Sequence, residues 1–160
     1  MNVPFHKQTT DYMCAPTVIQ MIFEYFGKHE KQETLAKDLK SSPERGTSHV
    51  EMVRCVREYG FKCYAKTGSS IDDIRHFLDQ KIPVIVNYIE PCDETGHYAI
   101  AVEANDTELF LNDPWNGERF RIGISEFEKR WQNSTGRSKR WLMVISPAKI
   151  SKLPQISQTS

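Results

Sequence analysis

Residues 14–27 read CAPTVIQMIFEYFG, an apolar run with helical spacing that begins at Cys14 and stops at Gly27. The pattern predicts a buried helix whose first turn carries a cysteine. The N-terminus of a helix has a partial positive charge and unpaired N–H groups, which favour the thiolate and lower the pKa of a cysteine there. The same N–H groups can bind an oxyanion. We therefore expect a nucleophilic thiol at this position.

Three further residues fit the chemistry of a nucleophilic thiol. Gln8 lies just upstream of Cys14, His97 opens an alternating apolar strand, and Asp113 lies at the end of a later strand. A cysteine paired with a histidine that is oriented by an acid is typical of enzymes that form an acyl intermediate. This set of residues indicates thiol-based acyl transfer.

The composition favours one globular domain. With 160 residues, of which 39% are hydrophobic, the chain is large enough to bury a core. We assign residues 1–147 to this domain and expect the polar residues 148–160 to form a flexible tail. Lys plus Arg equals Asp plus Glu, 21 each, so no overall charge attracts nucleic acid or an anionic membrane.

The sequence shows no membrane or secretion signal. Its apolar stretches fall well short of the roughly 20 residues that cross a bilayer, so we expect no membrane insertion. The first residues, MNVPFHK, lack the apolar core of a secretory signal. We expect a cytoplasmic protein, or one exported by a route that the sequence does not show.

The four cysteines form neither a Cys-x-x-Cys pair nor a tight cluster with histidine, so neither a zinc site nor a disulfide scaffold is expected. We predict that Cys55 and Cys63 are small buried side chains. Cys92 follows a proline in a loop and is expected to be the exposed thiol besides Cys14.

The rest of the sequence predicts mostly helices first and strands afterwards. Helices are expected at residues 32–39, from Thr47 or Ser48 to 59, and from a capping box at residues 70–73 onward, with a strand at 61–65. Further strands are expected at 84–89, 98–104, 109–111, 119–122 and 141–145, with a hairpin turn at 105–106 and a short helix at 124–131. The fold class is α+β, a helical N-terminal half packed against a C-terminal antiparallel sheet with a cleft between them.

In the third of these helices, the apolar spacing predicts a set of residues that share the buried face. They are Val50, Val53, Val56 and Tyr59, with Met52 and Cys55 alongside.

Taken together, the motifs resemble the papain-like cysteine peptidases that process bacteriocin leader peptides after a double glycine. The resemblance covers residues 5–145 and is carried by QTTDYMCAP at 8–16, GTS at 46–48, GF at 60–61, IPVIV at 82–86, GHY at 96–98 and NDP at 112–114. It implies a papain-like fold and a peptide or protein substrate. The resemblance also implies Cys14 as nucleophile, His97 as general base, Asp113 as the residue that orients it, and Gln8 as oxyanion donor.

Two features depart from the family pattern. The family commonly has Asp-Cys-Gly-Pro where this chain has Met-Cys-Ala-Pro, so we expect the Cβ of Ala15 to reshape the entrance to the substrate site. The membrane segment and ATPase of the transporter form are not seen here. The resemblance therefore implies a stand-alone peptidase whose substrate need not be a double-glycine leader.

Cys14 and His97 each have a structural interpretation as well. Cys14 taken alone fits a buried thiol, and His97 taken alone fits a hydrogen-bonded histidine of the core or surface. Gly96, which precedes the histidine, permits the backbone of a substrate to approach closely.

Asp113 and Trp115 lie in a turn sequence, which leaves their roles open. Asn-Asp-Pro is a common turn in which the aspartate bonds its own backbone, with Asn112 as the substitute residue that orients the histidine. Trp115 either shields the Cys–His pair at the substrate site or packs under the turn. The remaining histidines are expected to be solvated: His6, His29, His49 and His76.

Three functions remain open. The leading hypothesis is a cysteine peptidase that acts on an extended peptide with small residues before the scissile bond. A deamidase or transglutaminase-like acyltransferase would use the same triad on a Gln or Asn side chain of a protein. The third is an inactive peptidase-like domain that only binds peptides. None of the three needs a metal or an organic cofactor, and the sequence leaves the oligomeric state open.

Overall fold

The computed structural model of the chain describes residues 1–148 and Ile150. The helices in this part are α1 (Cys14–Tyr25), α2 (Gln32–Asp38), α3 (His49–Glu58), α4 (Ile71–Asp79) and α5 (Ile124–Arg130). The strands are β1 (Lys62–Lys66), β2 (Val84–Ile89), β3 (Gly96–Ala104), β4 (Glu108–Asp113), β5 (Gly117–Gly123) and β6 (Leu142–Ser146). The predicted elements are all present, with ends within about two residues of those expected from the pattern.

The helices begin and end where their local chemistry requires. Ser48 caps α3 by accepting a hydrogen bond from the Glu51 N–H at 3.2 Å. Ser70 and Asp73 form the predicted capping box of α4, in which each side chain accepts the other's backbone N–H. Gly27, just after α1, has a φ of +89°, a left-handed conformation that glycine adopts without strain.

The six strands form one antiparallel sheet in the order β1-β6-β2-β3-β4-β5. The last strand, β6, therefore lies between β1 and β2, and this pairing joins the two halves of the chain. Strands β3 and β4 form a hairpin whose turn is held by Asn105, whose side-chain oxygen accepts the backbone N–H groups of Thr107 and Glu108. The predicted α+β class is confirmed.

Both faces of the sheet are covered, which explains why its central strands read as continuous apolar runs. On one face, Ile85, Ile100 and Met143 pack in a core with α1 and α3. On the other, alternate residues of the same strands pack in a second core with Phe77 of α4 and Phe127 of α5. The helix α4 thus lies across the sheet from the other helices of its half, a placement that periodicity alone does not give.

One predicted core position is wrong. Val50 is 75% exposed, whereas Met52, Cys55 and Val56 are fully buried. At 3.6 residues per turn these three point to one side of α3 and Val50 points to the opposite side. Val53 packs at the edge of the core.

The fold brings three chain segments together at one edge of the sheet. Strand β3 starts at Gly96 and the adjacent antiparallel strand β4 ends at Asp113, so both ends lie at the same edge. The N-terminal segment is held at this edge by Gln8, whose N–H donates to the Pro114 carbonyl at 3.1 Å. It is anchored further by the Asn112 side chain, whose Nδ2 donates to the Val3 carbonyl.

Two further expectations concern membrane insertion and the C-terminal tail. No helix among residues 1–148 is long and apolar enough to span a membrane. The tail predicted at 148–160 lies outside the described residues except for Ala148 and Ile150. Ile150 is 7% exposed and packs in the core beside α4 and α5.

Candidate active site

Cys14 is the first residue of α1, as predicted, and its side chain is half-buried. Burial raises the pKa of the thiol to about 11; the N–H groups of Tyr98 and Ala15 oppose this rise and the charge of Asp113 adds to it. The expectation that the helix N-terminus gives a lowered pKa is therefore wrong as a net result. Desolvation of the thiolate outweighs the partial charge of the helix.

His97 and Asp113 form a buried pair. The imidazole Nε2 lies 2.9 Å from Oδ2 of Asp113, and the side chains are 8% and 0% exposed. An ionised carboxylate only accepts hydrogen bonds, so Nε2 carries a proton in this pair and Nδ1 of a neutral ring keeps its lone pair. Nδ1 has no hydrogen-bond partner in the described part of the chain, which leaves it able to take a proton.

Asp113 is held ionised by a set of donors. Its Oδ1 accepts the backbone N–H groups of Trp115 and Asn116 at 2.9 and 3.0 Å, and its Oδ2 also accepts from the Tyr88 hydroxyl. Burial by itself would raise the pKa of this carboxyl, but the bonds from His97, Tyr88 and Asn116 outweigh it, and the pKa lies below its usual value. The turn predicted from Asn-Asp-Pro and the contact with the histidine therefore coexist in one side chain.

Asn112, the alternative orienting residue, is occupied elsewhere. Its Oδ1 accepts the Arg119 N–H, and its Nδ2 donates to Val3 as described above. Within the described residues, Asp113 is the side chain that shares a hydrogen bond with the His97 ring.

Cys14 and His97 line one cavity of about 350 Å³, together with Arg45. We name it the Arg45 cavity. His97 and the preceding Gly96 also line a second cavity of about 360 Å³, together with Trp115. We name this one the Trp115 cavity. The Tyr98 N–H lowers the pKa of the Cys14 thiol, so the sulfur lies near the strand that carries His97. The imidazole thus lines both cavities, and the thiol lines the Arg45 cavity.

Gln8 lines a different cavity from the residues of α3. It lines the Trp115 cavity with His97, and its backbone is tied to Pro114 as described above. The side-chain Nε2 donates to the Thr10 carbonyl at 2.8 Å, while Oε1 is buried without a hydrogen-bond partner in residues 1–148. The structure therefore brings Gln8 to the site with one amide hydrogen already engaged by the backbone.

The three predicted substrate contacts have different surroundings. Ala15 is 1% exposed and packs in the core, so the expectation that its Cβ reshapes the entrance is wrong. A Cβ at Gly96 would lie 2.4 Å from the Ser134 hydroxyl, so in this structure the close approach that glycine allows comes from the chain itself. Trp115 does not pack under the turn; it is 43% exposed, and its Nε1 donates to Asp93 at 2.8 Å.

A second histidine that the sequence pattern did not place at the site lines the Arg45 cavity. His49 was expected to be solvated, but its ring stacks on Trp141 at 3.9 Å between centroids and its Nε2 lies 3.2 Å from Oδ1 of Asn87. The Asn87 Nδ2 donates to the His97 carbonyl, so the amide orientation makes His49 Nε2 the donor. Burial lowers the pKa of His49, which keeps the ring neutral.

Neither His49 nor Tyr88 gave a signal in the sequence. His49 directly follows the GTS motif as the first residue of α3, and Tyr88 lies in a run of buried strand residues. Only the strand register, which pairs Tyr88 with His97, shows that the tyrosine belongs to the site. His6 is also only partly solvated, because its Nε2 lies 2.8 Å from Glu24.

A model of the family described as Peptidase_C39 like family matches residues 1–139. No curated protein matches the sequence at a significant level.

Several solved structures share the fold. The peptidase domain of Streptococcus ComA, a bifunctional ABC transporter involved in quorum sensing, is 18% identical with a TM-score of 0.76; the match covers 92% of this chain and 100% of that one. A protein described as a C39-like peptidase from Bacillus anthracis is 18% identical with a TM-score of 0.74, over 94% and 96%. A double glycine motif protease from an AMS/PCAT transporter, solved with its leader peptide, is 18% identical with a TM-score of 0.69, over 92% and 93%.

Proposed function

This chain belongs to the Peptidase_C39 like family, and we propose that it is a cysteine peptidase with Cys14 as nucleophile, His97 as general base and Asp113 as the residue that orients the base. The observation that carries the proposal is the buried His97–Asp113 pair beside a cysteine in the first turn of α1. The family and the fold support a cysteine peptidase, and the geometry supports the roles proposed for these residues.

The pKa of Cys14 determines how the thiol is activated. With a pKa of about 11 the thiol is neutral at pH 7. The proposed first step is therefore a transfer of the thiol proton to Nδ1 of His97 as the sulfur attacks the substrate carbonyl carbon. Asp113 stabilises the imidazolium that results, because its carboxylate already accepts the Nε2 proton.

The later steps return each group to its starting state. The tetrahedral intermediate collapses, the C–N bond breaks, and the leaving amine takes the proton from His97. Water then attacks the thioester carbonyl with His97 again as base, and the C–S bond breaks to release the acid and restore the Cys14 thiol. The N–H of Cys14 and the second Nε2 hydrogen of Gln8 are the proposed donors to the oxyanion.

An extended peptide is the proposed substrate because two cavities share His97 in their linings and offer room for more than one side chain of a ligand. The two exposed large apolar side chains in the described residues, Val50 and Trp115, line one cavity each. Apolar groups that flank a polar reacting centre are typical of sites that bind part of a ligand by burial. The protease from the AMS/PCAT transporter was solved in complex with its leader peptide. From that protein we extend only the substrate class, a peptide, to this chain.

A peptide library tests the proposal. The chain is incubated with a randomised peptide mixture, and new termini are identified by mass spectrometry for the wild type, Cys14→Ala, His97→Ala and Cys92→Ser. Cys92 is exposed and lines neither cavity, so its variant is the matched thiol control. We expect new termini with the wild type and Cys92→Ser and none with the other two. A gain of one mass unit at Gln or Asn without cleavage would show a deamidase instead.

A further inference from the structure

The two cavities that meet at His97 differ in the sign of their charged side chains. Arg45 is the charged residue that lines the cavity named after it, and no carboxylate lines that cavity. The Trp115 cavity is lined by Asp11 and Asp93 and by no lysine or arginine. His97, which lines both cavities, therefore lies at a boundary between a cationic and an anionic half of the cleft.

The charge of Arg45 is not neutralised by an ion pair. Arg45 is exposed, and among residues 1–148 no carboxylate oxygen lies within 4.0 Å of its guanidinium. A third cavity that Arg45 also lines contains two further charged residues, Lys40 and Glu51. Lys40 has no carboxylate oxygen within 4.0 Å among residues 1–148, and Glu51 is paired with Arg54 at 2.7 Å. The preceding residue, Glu44, does not line the Arg45 cavity. A net positive charge therefore faces this half of the cleft.

The carboxylates of the Trp115 cavity are also free of ion pairs in the described part of the chain. Asp93 accepts a hydrogen bond from the Trp115 indole at 2.8 Å, a neutral donor that fixes the carboxylate without cancelling its charge. Asp11 is exposed and has no cationic side chain within 4.0 Å among residues 1–148. The net charge that faces this half is negative.

The uncharged residues that line the Arg45 cavity also favour a side chain with hydrogen-bond acceptors. It consists largely of hydroxyl and amide groups, which include Thr47, Ser48, Asn133 and Thr135. Such groups donate hydrogen bonds to carboxylate and carbonyl oxygens. A side chain that carries acceptors is therefore favoured here over an aliphatic one.

We propose that the cleft selects peptides by the order of their charges, with an acidic side chain in the Arg45 cavity, a basic side chain in the Trp115 cavity, and the scissile bond between them. The proposal rests on the proposed function and names the substrate class of the same site. Charge complementarity of this kind discriminates between ligands of equal composition, because the wrong order places like charges together.

Two peptides of identical composition provide the test. Both have a neutral Gly-Ala-Gly-Ala centre; one has Asp-Asp before it and Lys-Lys after it, and the other has the reverse order. Binding of each fluorescently labelled peptide to Cys14→Ala is measured by anisotropy, and cleavage by the wild type is measured in parallel. We expect one order to be favoured about tenfold in both assays, with the preference falling from 0.05 M to 1 M salt as screening increases.

Variants that remove single charges identify the residues responsible. Arg45→Gln and the double variant Asp11→Asn/Asp93→Asn, each also made in Cys14→Ala for the binding assay, are expected to reduce the tenfold preference to about threefold or less. Asn at position 93 keeps an acceptor for the Trp115 indole. Lys129→Gln and Asp106→Asn, which remove exposed charges remote from the cleft, are the matched controls and should leave the preference unchanged.

The outcomes separate the two proposals. Equal binding of both orders, or a preference that persists in the cleft variants, overturns the charge-order proposal whether or not cleavage occurs. A preference in binding without any cleavage supports the charge order and contradicts the peptidase. Cleavage of both orders at equal rates supports the peptidase and contradicts the charge order.

Discussion

Nε2 of His97 lies 2.9 Å from Oδ2 of Asp113, and that same oxygen accepts hydrogen bonds from Tyr88 and Asn116. The carboxylate therefore orients the imidazole and is itself fixed by groups from β2 and from the turn after β4. A single buried charge thus links the proposed chemistry to the stability of the fold, and both can be measured.

Asp113→Asn is expected to lower both activity and stability. The pKa of Asp113 is lower in the folded chain, so its stabilising effect is present above the unfolded pKa of roughly 3.9 and is lost as the pH falls through the folded pKa. We expect a loss of about 1–3 kcal/mol in the free energy of unfolding at pH 7 and a smaller loss near pH 3. Urea unfolding at both pH values measures this. Asp106→Asn is the exposed control, and equal losses at the two pH values would contradict the linkage.

Tyr88→Phe is expected to show that Tyr88 positions Asp113. The hydroxyl is one of the donors that lower the pKa of Asp113, so its removal should raise that pKa and reduce kcat about tenfold with little change in KM. The carboxyl titration of Asp113 by carbon NMR provides a readout that a packing defect alone would not move. Tyr64→Phe is the matched control, because the buried Tyr64 hydroxyl has no hydrogen-bond partner among residues 1–148. An unchanged titration in Tyr88→Phe would refute this role.

The labelling of Cys14 by iodoacetamide is expected to be slow at neutral pH. Burial raises the pKa of the Cys14 thiol to about 11, so its thiolate fraction is small at pH 7 and increases about tenfold per pH unit toward that value. The exposed Cys92 serves as an internal control in the same peptide map. Fast labelling of Cys14 that is flat from pH 5 to 9 and lost in His97→Ala would instead reveal a preformed thiolate–imidazolium pair.

The pKa of Cys14 shows where the sequence stops being informative. The order of Cys14, His97 and Asp113 was enough to predict that these side chains come together, because each lies at or next to the end of a helix or strand. The role of Gln8, which lies in the segment before α1, was implied by the family resemblance. The pKa of Cys14 was predicted in the wrong direction, because it depends on desolvation and on the Asp113 charge, both set by tertiary packing.

The fold shows the same division. Capping residues and turn residues such as Ser48 and Asn105 act locally, so the element ends were predictable from neighbouring residues. The insertion of β6 between β1 and β2 and the stacking of His49 on Trp141 join residues far apart in the chain. No local pattern encodes such pairings, which explains why His49 was expected to be solvated.

Gln8→Ala is expected to reduce kcat by about 10²–10³-fold, the usual cost of losing one oxyanion donor. The effect on stability should be small, because the hydrogen bond from Gln8 to the Thr10 carbonyl is solvent-exposed. Gln8→Glu keeps the shape but places a carboxylate beside the developing oxyanion, so we expect it to be at least as inactive at pH 7. Activity of Gln8→Ala within threefold of the wild type would exclude Gln8 as a donor.

Gly96→Ala separates two reasons for a glycine before His97. A Cβ there would lie 2.4 Å from the Ser134 hydroxyl and 3.0 Å from its backbone nitrogen, so the segment that carries Ser134 must move. We expect a loss of about 1–3 kcal/mol in the free energy of unfolding, as is usual for overpacking, partly restored by adding Ser134→Gly. Gly123→Ala is the control, because its Cβ would meet nothing within 4 Å.

The kinetic constants of Gly96→Ala complete the comparison. If Gly96 serves the contact with Ser134, the variant loses stability, and Ser134→Gly recovers stability and kcat together. If Gly96 instead admits the backbone of a substrate, the free energy of unfolding stays close to the wild-type value while KM rises, and Ser134→Gly does not restore it. Urea unfolding and steady-state kinetics on the same preparations distinguish these results, because the two contacts place their cost in different states of the protein.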